Sequence, residues 1–256
     1  IFVIIAICLL LPLDFKMNNL AAIENKKLQY EQALESAVDD AVLKLVDMDS
    51  SKTVTYSLNK EACIDQFFMS LYASFGILDS PLDQKKLMSY IPIITVTDKD
   101  GYYLSYLDTY LDDNGSTMYA RAWSEKKPYY YKDGKLIYSF TFDDYIIIYD
   151  SELDEIREGY YDDLKVLYSE EYIFQDKEIF EQIKSNTIVS CIQNDMRYYI
   201  NNYNKIADNF GITYDFYLPA VDANDWQRTI DSISLFVVFQ GYPYGYGTND
   251  VYNRDR

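Results

Sequence analysis

The chain has 256 residues, a formal net charge of −18 and no histidine. Its length suits one large domain or two small ones, and its negative charge makes nucleic acid and anionic lipid headgroups poor partners for most of the surface. Without histidine, the chain itself cannot form Ser-His-Asp or Cys-His catalytic groups or a histidine-ligated metal centre.

The first thirteen residues, Ile1 to Leu13, carry no charge. A bilayer-spanning helix needs roughly 20 apolar residues, so this run alone is too short to cross a membrane. It fits the end of a membrane segment, a remnant of a signal peptide, or a helical arm that packs in a filament; a buried helix of an ordinary soluble protein is the alternative. Because no Met precedes Ile1, we expect cutting or processing at that position.

Residues 18 to 47 have the periodicity of an amphipathic helix, with apolar residues at spacings of three and four and acidic residues on the other faces. Joined to the apolar start, the pattern predicts one helix of about 45 residues, near 65 Å long. We expect this helix to make the membrane or assembly contacts, through Phe2, Ile5, Leu9, Leu13, Leu34, Val38, Ala41 and Leu45.

The rest of the chain changes pattern several times. Helices are predicted over residues 60 to 75, with Gly76 as a stop, and over 79 to 90, with Pro81 in the first turn. Alternating strands and turns such as Asp98-Lys99-Asp100-Gly101 predict an antiparallel sheet of four or five strands between residues 91 and 150. The remaining predictions are weak helix over 151 to 169, a long helix over 175 to 208, a strand over 212 to 218, a helix over 222 to 240, and a turn-rich aromatic tail.

These elements predict an α+β protein with a long helix, hydrophobic and then amphipathic, and a head built on an antiparallel sheet flanked by helices. The predicted division is a membrane or assembly helix over residues 1–47 and an extracytoplasmic head over 48–256. The 28 tyrosines suit either an extracellular contact surface or packing in strands.

Candidate chemistry is sparse. Cys63 and Cys191 fit no zinc spacing, and in an exported protein they are candidates for one disulfide. Acidic pairs recur in turns, but turn chemistry explains them without calcium, and among 41 acidic residues such pairs arise by chance. We therefore expect no enzyme activity, metal or cofactor.

One stretch carries a family resemblance. The sequence from Lys27 to Val42, KLQYEQALESAVDDAV, follows an apolar segment directly. It resembles the N-terminal region of type IV pilin-like proteins of the tight-adherence class, the pseudopilins of the TadE/TadG kind, although position 5 is Ile5 rather than the acidic residue of mature type IV pilins. The resemblance covers about 47 residues.

This resemblance implies a structural subunit of a bacterial surface filament or of a pilus or secretion assembly. Such a subunit would be extracytoplasmic, anchored in a membrane or polymerised through its first helix. It would associate with itself or with other subunits of the machine. The turn from Thr97 to Tyr102, TDKDGY, is similar to Cache-type sensor ectodomains, which implies the alternative of a membrane-tethered ligand-sensing domain.

Overall fold

The computed structural model of the chain describes residues 2–49, 55–221, 226 and 232–243. It is an α+β protein with an N-terminal helix and antiparallel sheets, which confirms the predicted class at that level. The chain forms two compact units, one made of Ile1–Tyr90 with Phe239–Arg256 and the other of Ile91–Val238. The division predicted at residue 47 stays a prediction.

In its described residues, the first unit contains three helices and a small two-stranded sheet: α1 (Phe2–Leu45), β1 (Val46–Asp49), β2 (Thr55–Leu58), α2 (Lys60–Phe75) and α3 (Pro81–Met88). With 44 residues, α1 is about 66 Å long, as predicted for a continuous helix. The pairing of β1 with β2 was not predicted. The ends of α2 follow local rules, because the Asn59 side chain accepts a hydrogen bond from the Ala62 amide and Gly76 adopts a left-handed φ of 68°.

The core of this unit lies between α1 and α2. The buried residues of α1 are spaced by four, three, four and four, which places them on one helical face: Tyr30, Leu34, Ala37, Ala41 and Leu45. They match a buried face of α2 formed by Cys63, Ile64, Phe67, Phe68 and Leu71. The small Ala37 and Ala41 side chains, both fully buried, allow the two helices to approach closely.

As far as the structure describes it, the second unit contains two four-stranded antiparallel sheets instead of the single sheet predicted. The first sheet has the order β10-β3-β4-β5, with β3 (Ile93–Asp98), β4 (Gly101–Leu111), β5 (Thr117–Trp123) and β10 (Leu235–Val238). The second has the order β6-β7-β8-β9, with β6 (Tyr129–Asp133), β7 (Leu136–Phe140), β8 (Tyr145–Asp150) and β9 (Glu155–Tyr160).

Helices complete this unit. After β9 come α4 (Tyr161–Leu167) and a short 3₁₀ helix (Tyr172–Phe174), followed by the long α5 (Lys177–Ala207) and a second 3₁₀ helix (Asp208–Phe210). The buried face of α5 includes Phe180, Ile188, Ile192, Met196 and Ile200. The helix contacts β3 and β4 of one sheet and β6 of the other. It therefore packs against both sheets.

Three sequence predictions were wrong in this unit. The segment predicted as weakly helical contains the strand β9 before α4. Residues 212 to 218 form no strand, and the amide of Asn204 instead hydrogen-bonds both backbone groups of Phe216 at 2.8 Å. Residues 235 to 238 are a strand that pairs with β3, not a helix. The predicted tail lies outside the described residues beyond position 243.

Candidate functional site

The predicted assembly helix divides into two parts. Leu34, Ala41 and Leu45 are buried in the first unit and Val38 is half-buried, so the chain's own fold covers this part of the helix. Between residues 21 and 29 no residue is buried. The remaining predicted contacts are in the apolar start, and their side chains are outside the described part of the structure: Phe2, Ile5, Leu9 and Leu13.

Side-chain contacts hold the second half of α1 in its unit. The Tyr30 ring stacks on Phe75 with centroids 4.8 Å apart, and its hydroxyl donates to the Pro243 carbonyl at 3.0 Å. The Ser70 hydroxyl on α2 donates to the Asp40 carboxylate at 2.6 Å. The second half of α1 is therefore part of the folded unit, and it presents its other faces outward.

Among the helices of the described residues, none combines the length and the hydropathy that a membrane span requires.

The second unit contains a groove of about 610 Å³ beside α5, which we call the α5 groove. One wall comes from the sheets, through Tyr102 of β4 and Tyr130 and Tyr131 of β6. The other wall is α5, where Asn186, Ser190 and Asn194 recur every four residues. Residues four apart lie on one face of a helix, so these amide and hydroxyl side chains form a row along the groove.

A polar network closes one end of this groove. The Tyr102 hydroxyl donates to the Asp195 carboxylate at 2.6 Å and to the Cys191 carbonyl at 3.0 Å. Lys127 forms an ion pair with the same carboxylate, with Nζ and Oδ2 2.9 Å apart. The three side chains position one another, because one carboxylate accepts from both of the other two.

The titration of these groups follows from their surroundings. Burial, reinforced by the hydrogen bond to Asp195, raises the pKa of Tyr102 far above its usual range. Burial disfavours the charged form of Lys127, but its hydrogen bond and ion pair with Asp195 outweigh this and raise the Lys127 pKa. At neutral pH Tyr102 is therefore a hydroxyl donor and Lys127 a cation, and neither is suited to act as a general base.

Two of the acidic pairs in turns, Asp98/Asp100 and Asp143/Asp144, are accounted for by nearby lysines. Lys126 pairs with Asp98 at 2.7 Å and also contacts Asp100. Lys99 pairs with Asp143 at 2.6 Å. In the part of the chain that the structure describes, no group of three or more Cys, Asp or Glu side chains could hold a metal ion.

Asp144 is held by two lysines of α5. Its carboxylate lies 2.5 Å from Lys177 and 3.3 Å from the buried Lys184. Partial burial opposes ionisation of Asp144, but the hydrogen bond from Lys177 and the charges of both lysines outweigh it and lower the pKa of the carboxyl. The contact ties the turn before β8 to α5.

The predicted disulfide is not formed. Cys63 and Cys191 are free thiols, one on α2 in the first unit and the other on α5 in the second. The sequence showed that both cysteines are present, but it could not show whether their Cα atoms lie within the range of a disulfide bond. Burial raises the pKa of Cys63 to about 11, and the Cys191 thiol donates to the Tyr130 carbonyl at 3.5 Å.

The residues of the α5 groove were not among the predicted site residues. Two of their features were visible in the sequence, the run Tyr129-Tyr130-Tyr131 and the four-residue spacing of polar side chains in the long helix. Neither feature indicates a site alone, because the groove exists only where α5 lies beside β6. Comparison of the chain with protein-family models, with curated proteins and with solved structures gives no match.

Proposed function

We propose that the chain is a structural subunit of a bacterial surface filament or of a pilus or secretion assembly, which polymerises or anchors through the first part of α1. The supporting observation is the division of this helix. Among the side chains that the structure describes on α1, the first buried one is Tyr30, and the helix runs without a break from Phe2. Residues 1 to 13 are all apolar, and such a surface is rarely left in water.

The length of α2 supports the same reasoning. With 16 residues it is about 24 Å long, against about 66 Å for α1, so it cannot lie along the whole of that helix. A cover for the apolar start would then come from lipid or from the same helix in neighbouring subunits. The proposed role is non-catalytic, extracytoplasmic and independent of metals or cofactors.

The test compares the full chain with a form that lacks residues 1 to 13. We expect the full chain to form polymers in light scattering and electron microscopy, and the shortened chain to be a folded monomer. Ile5→Asp and Leu9→Asp should act like the deletion, because a charge in an apolar interface is costly. Leu43→Asp is the matched control, since Leu43 is on the same helix and 79% exposed.

Vesicle flotation distinguishes the two proposed partners of the apolar start, which are lipid and neighbouring subunits. Binding to lipid without polymerisation would support an anchor and contradict a filament. Polymerisation of the shortened chain, or of both aspartate variants, would contradict the proposed role of the apolar start altogether.

A second candidate is a tethered ligand-sensing domain of the Cache-like kind, and the α5 groove is the observation that favours it. Its volume lies within the range of small-ligand sites, and polar groups converge on it from β4, β6 and α5. A thermal-shift screen of metabolites and short peptides tests this candidate. Ser190→Trp, which fills the groove from an exposed helix position, should abolish a true hit; hits that survive in this variant would contradict it.

A further inference from the structure

We propose that the α5 groove binds an extended, uncharged peptide segment, which adds to β6 as a fifth strand of the second sheet. This inference names a ligand class for the second candidate function. It does not depend on the assembly role of α1, so the two can fail separately.

The first step is the outer edge of β6. This strand is at the end of its sheet and pairs only with β7 among the described residues. Gly134 and Lys135 form a two-residue hairpin loop that is closed by the pair Asp133–Leu136. In such a hairpin the closing pair is hydrogen-bonded and the pairs alternate from there, so the backbone N–H and C=O of Tyr130 and Lys132 point away from β7.

A side-chain contact supports this direction independently. The Cys191 thiol on α5 donates to the Tyr130 carbonyl, which therefore points toward the α5 groove. A thiol is a weak donor, and a peptide N–H would replace it with a stronger hydrogen bond. Tyr130 as a residue is 58% exposed, so solvent reaches this position of the strand.

The second step is the size of the space. The helical wall of the groove runs from Ile183 to Asp195, which is about 18 Å at 1.5 Å per residue. An extended chain advances about 3.3 Å per residue, so the groove has room for about five residues. A strand edge opposite a helix is a known arrangement for strand addition, in which main-chain hydrogen bonds hold the peptide and side-chain pockets select it.

The third step is charge. The edge strand at the other end of the same sheet, β9, exposes Glu155, Arg157 and Glu158, and such charges discourage strand pairing. In β6 the residues that line the groove are Tyr130 and Tyr131, and the exposed charged residues Lys132 and Asp133 lie outside the groove lining. The two charged residues in the groove, Lys127 and Asp195, neutralise each other. An uncharged segment therefore suits the groove, and the net charge of −18 disfavours an acidic one.

The probe for the test is a fluorescein-labelled peptide, Gly-Ser-Val-Thr-Val-Ser-Gly, measured by anisotropy with the full chain. We expect saturable binding that is lost when both valine nitrogens are methylated, because methylation removes the ladder donors. Tyr130→Pro should bind roughly two- to twelvefold more weakly than Tyr130→Ala, the range that one backbone hydrogen bond gives. The proline removes only an outward N–H, so the pairing with β7 is kept.

A second variant is the control for the case that Tyr130→Pro misfolds. Ser190→Trp narrows the groove from the helix and should also abolish binding, while circular dichroism shows a native spectrum. No saturable binding up to about 1 mM, equal binding of the methylated peptide, or equal affinities of the two Tyr130 variants would overturn the proposal. Saturable binding of chitohexaose in place of the peptide would overturn it as well, and would indicate a glycan site.

Discussion

Two leucines near the end of α1 offer a direct test of its packing. Leu45 is fully buried, whereas Leu43, two residues earlier on the same helix, is 79% exposed. Truncation of Leu45 to alanine removes about three methylene equivalents, or about 2.4 kcal/mol of transfer free energy, and a cavity adds to this loss. The surrounding backbone limits collapse, because the Leu45 carbonyl accepts from the Asn59 amide at 2.8 Å and Val46 pairs with Leu58.

We therefore expect Leu45→Ala to lower the free energy of unfolding by about 3 kcal/mol or more, within the 2–5 kcal/mol of buried leucine truncations. Leu43→Ala should change it by no more than about 0.5 kcal/mol, since an exposed leucine loses little burial and alanine favours helix. Urea unfolding followed by circular dichroism at 222 nm measures both variants.

Tryptophan fluorescence follows the other unit in the same experiment, because Trp123 and Trp226 both belong to Ile91–Val238. Equal losses for the two leucine variants would refute the packing of α1 against α2. An unchanged free energy of unfolding for Leu45→Ala would refute this packing more strongly.

Three further predictions concern a close backbone contact, an ion pair and a thiol. Gly101→Ala should destabilise the protein by roughly 1–3 kcal/mol in urea unfolding, because the new Cβ would lie 2.5 Å from the Lys127 carbonyl oxygen. Gly159→Ala is the near-neutral control, because its Cβ would lie at an ordinary 3.5 Å from Leu164. Asp144 has a lowered pKa, so the stabilisation from its ion pair is present above about pH 4 and is lost as the pH falls through the folded-state pKa. Asp144→Asn should therefore show a smaller decrease in melting temperature below pH 4 than the unchanged chain. An equal decrease in both proteins would contradict this ion pair. Cys63 is 1% exposed and its pKa is raised to about 11. In a variant whose other two cysteines are replaced by serine, it should react with a thiol reagent at pH 8 only when the protein unfolds. Rapid labelling of the native protein would contradict its burial.

The helices of the first unit were predictable because their signals are local. Apolar spacing identified α1 and α2, and the ends of α2 follow from a capping asparagine and a left-handed glycine within a few residues. Periodicity also identified α5, although it could not show which side would face the sheets. The sequence distinguished an apolar start of α1 from an amphipathic remainder, but only the packing on α2 showed which of the predicted contact residues belong to the folded unit.

The wrong predictions concern segments whose structure depends on residues elsewhere in the chain. Residues 212 to 218 alternate like a strand, but the Asn204 side chain satisfies the Phe216 backbone groups that a neighbouring strand would otherwise take. The apolar run of β10 fits helical spacing, yet β3 presents an edge that pairs with it. In β9, charged residues hide the strand pattern, because an edge strand need not bury a face.

By itself, the sequence determined the α+β class, the long first helix, its apolar start and the absence of histidine chemistry, because composition and short-range periodicity are sufficient for these. Only the tertiary structure decided that Cys63 and Cys191 are free thiols, that lysines contact two of the acidic pairs, and that α5 and β6 face each other across a groove. Tyr130 and Cys191 are 61 residues apart in the chain. A site assembled over such a separation depends on which faces pack together, and no local pattern specifies that packing.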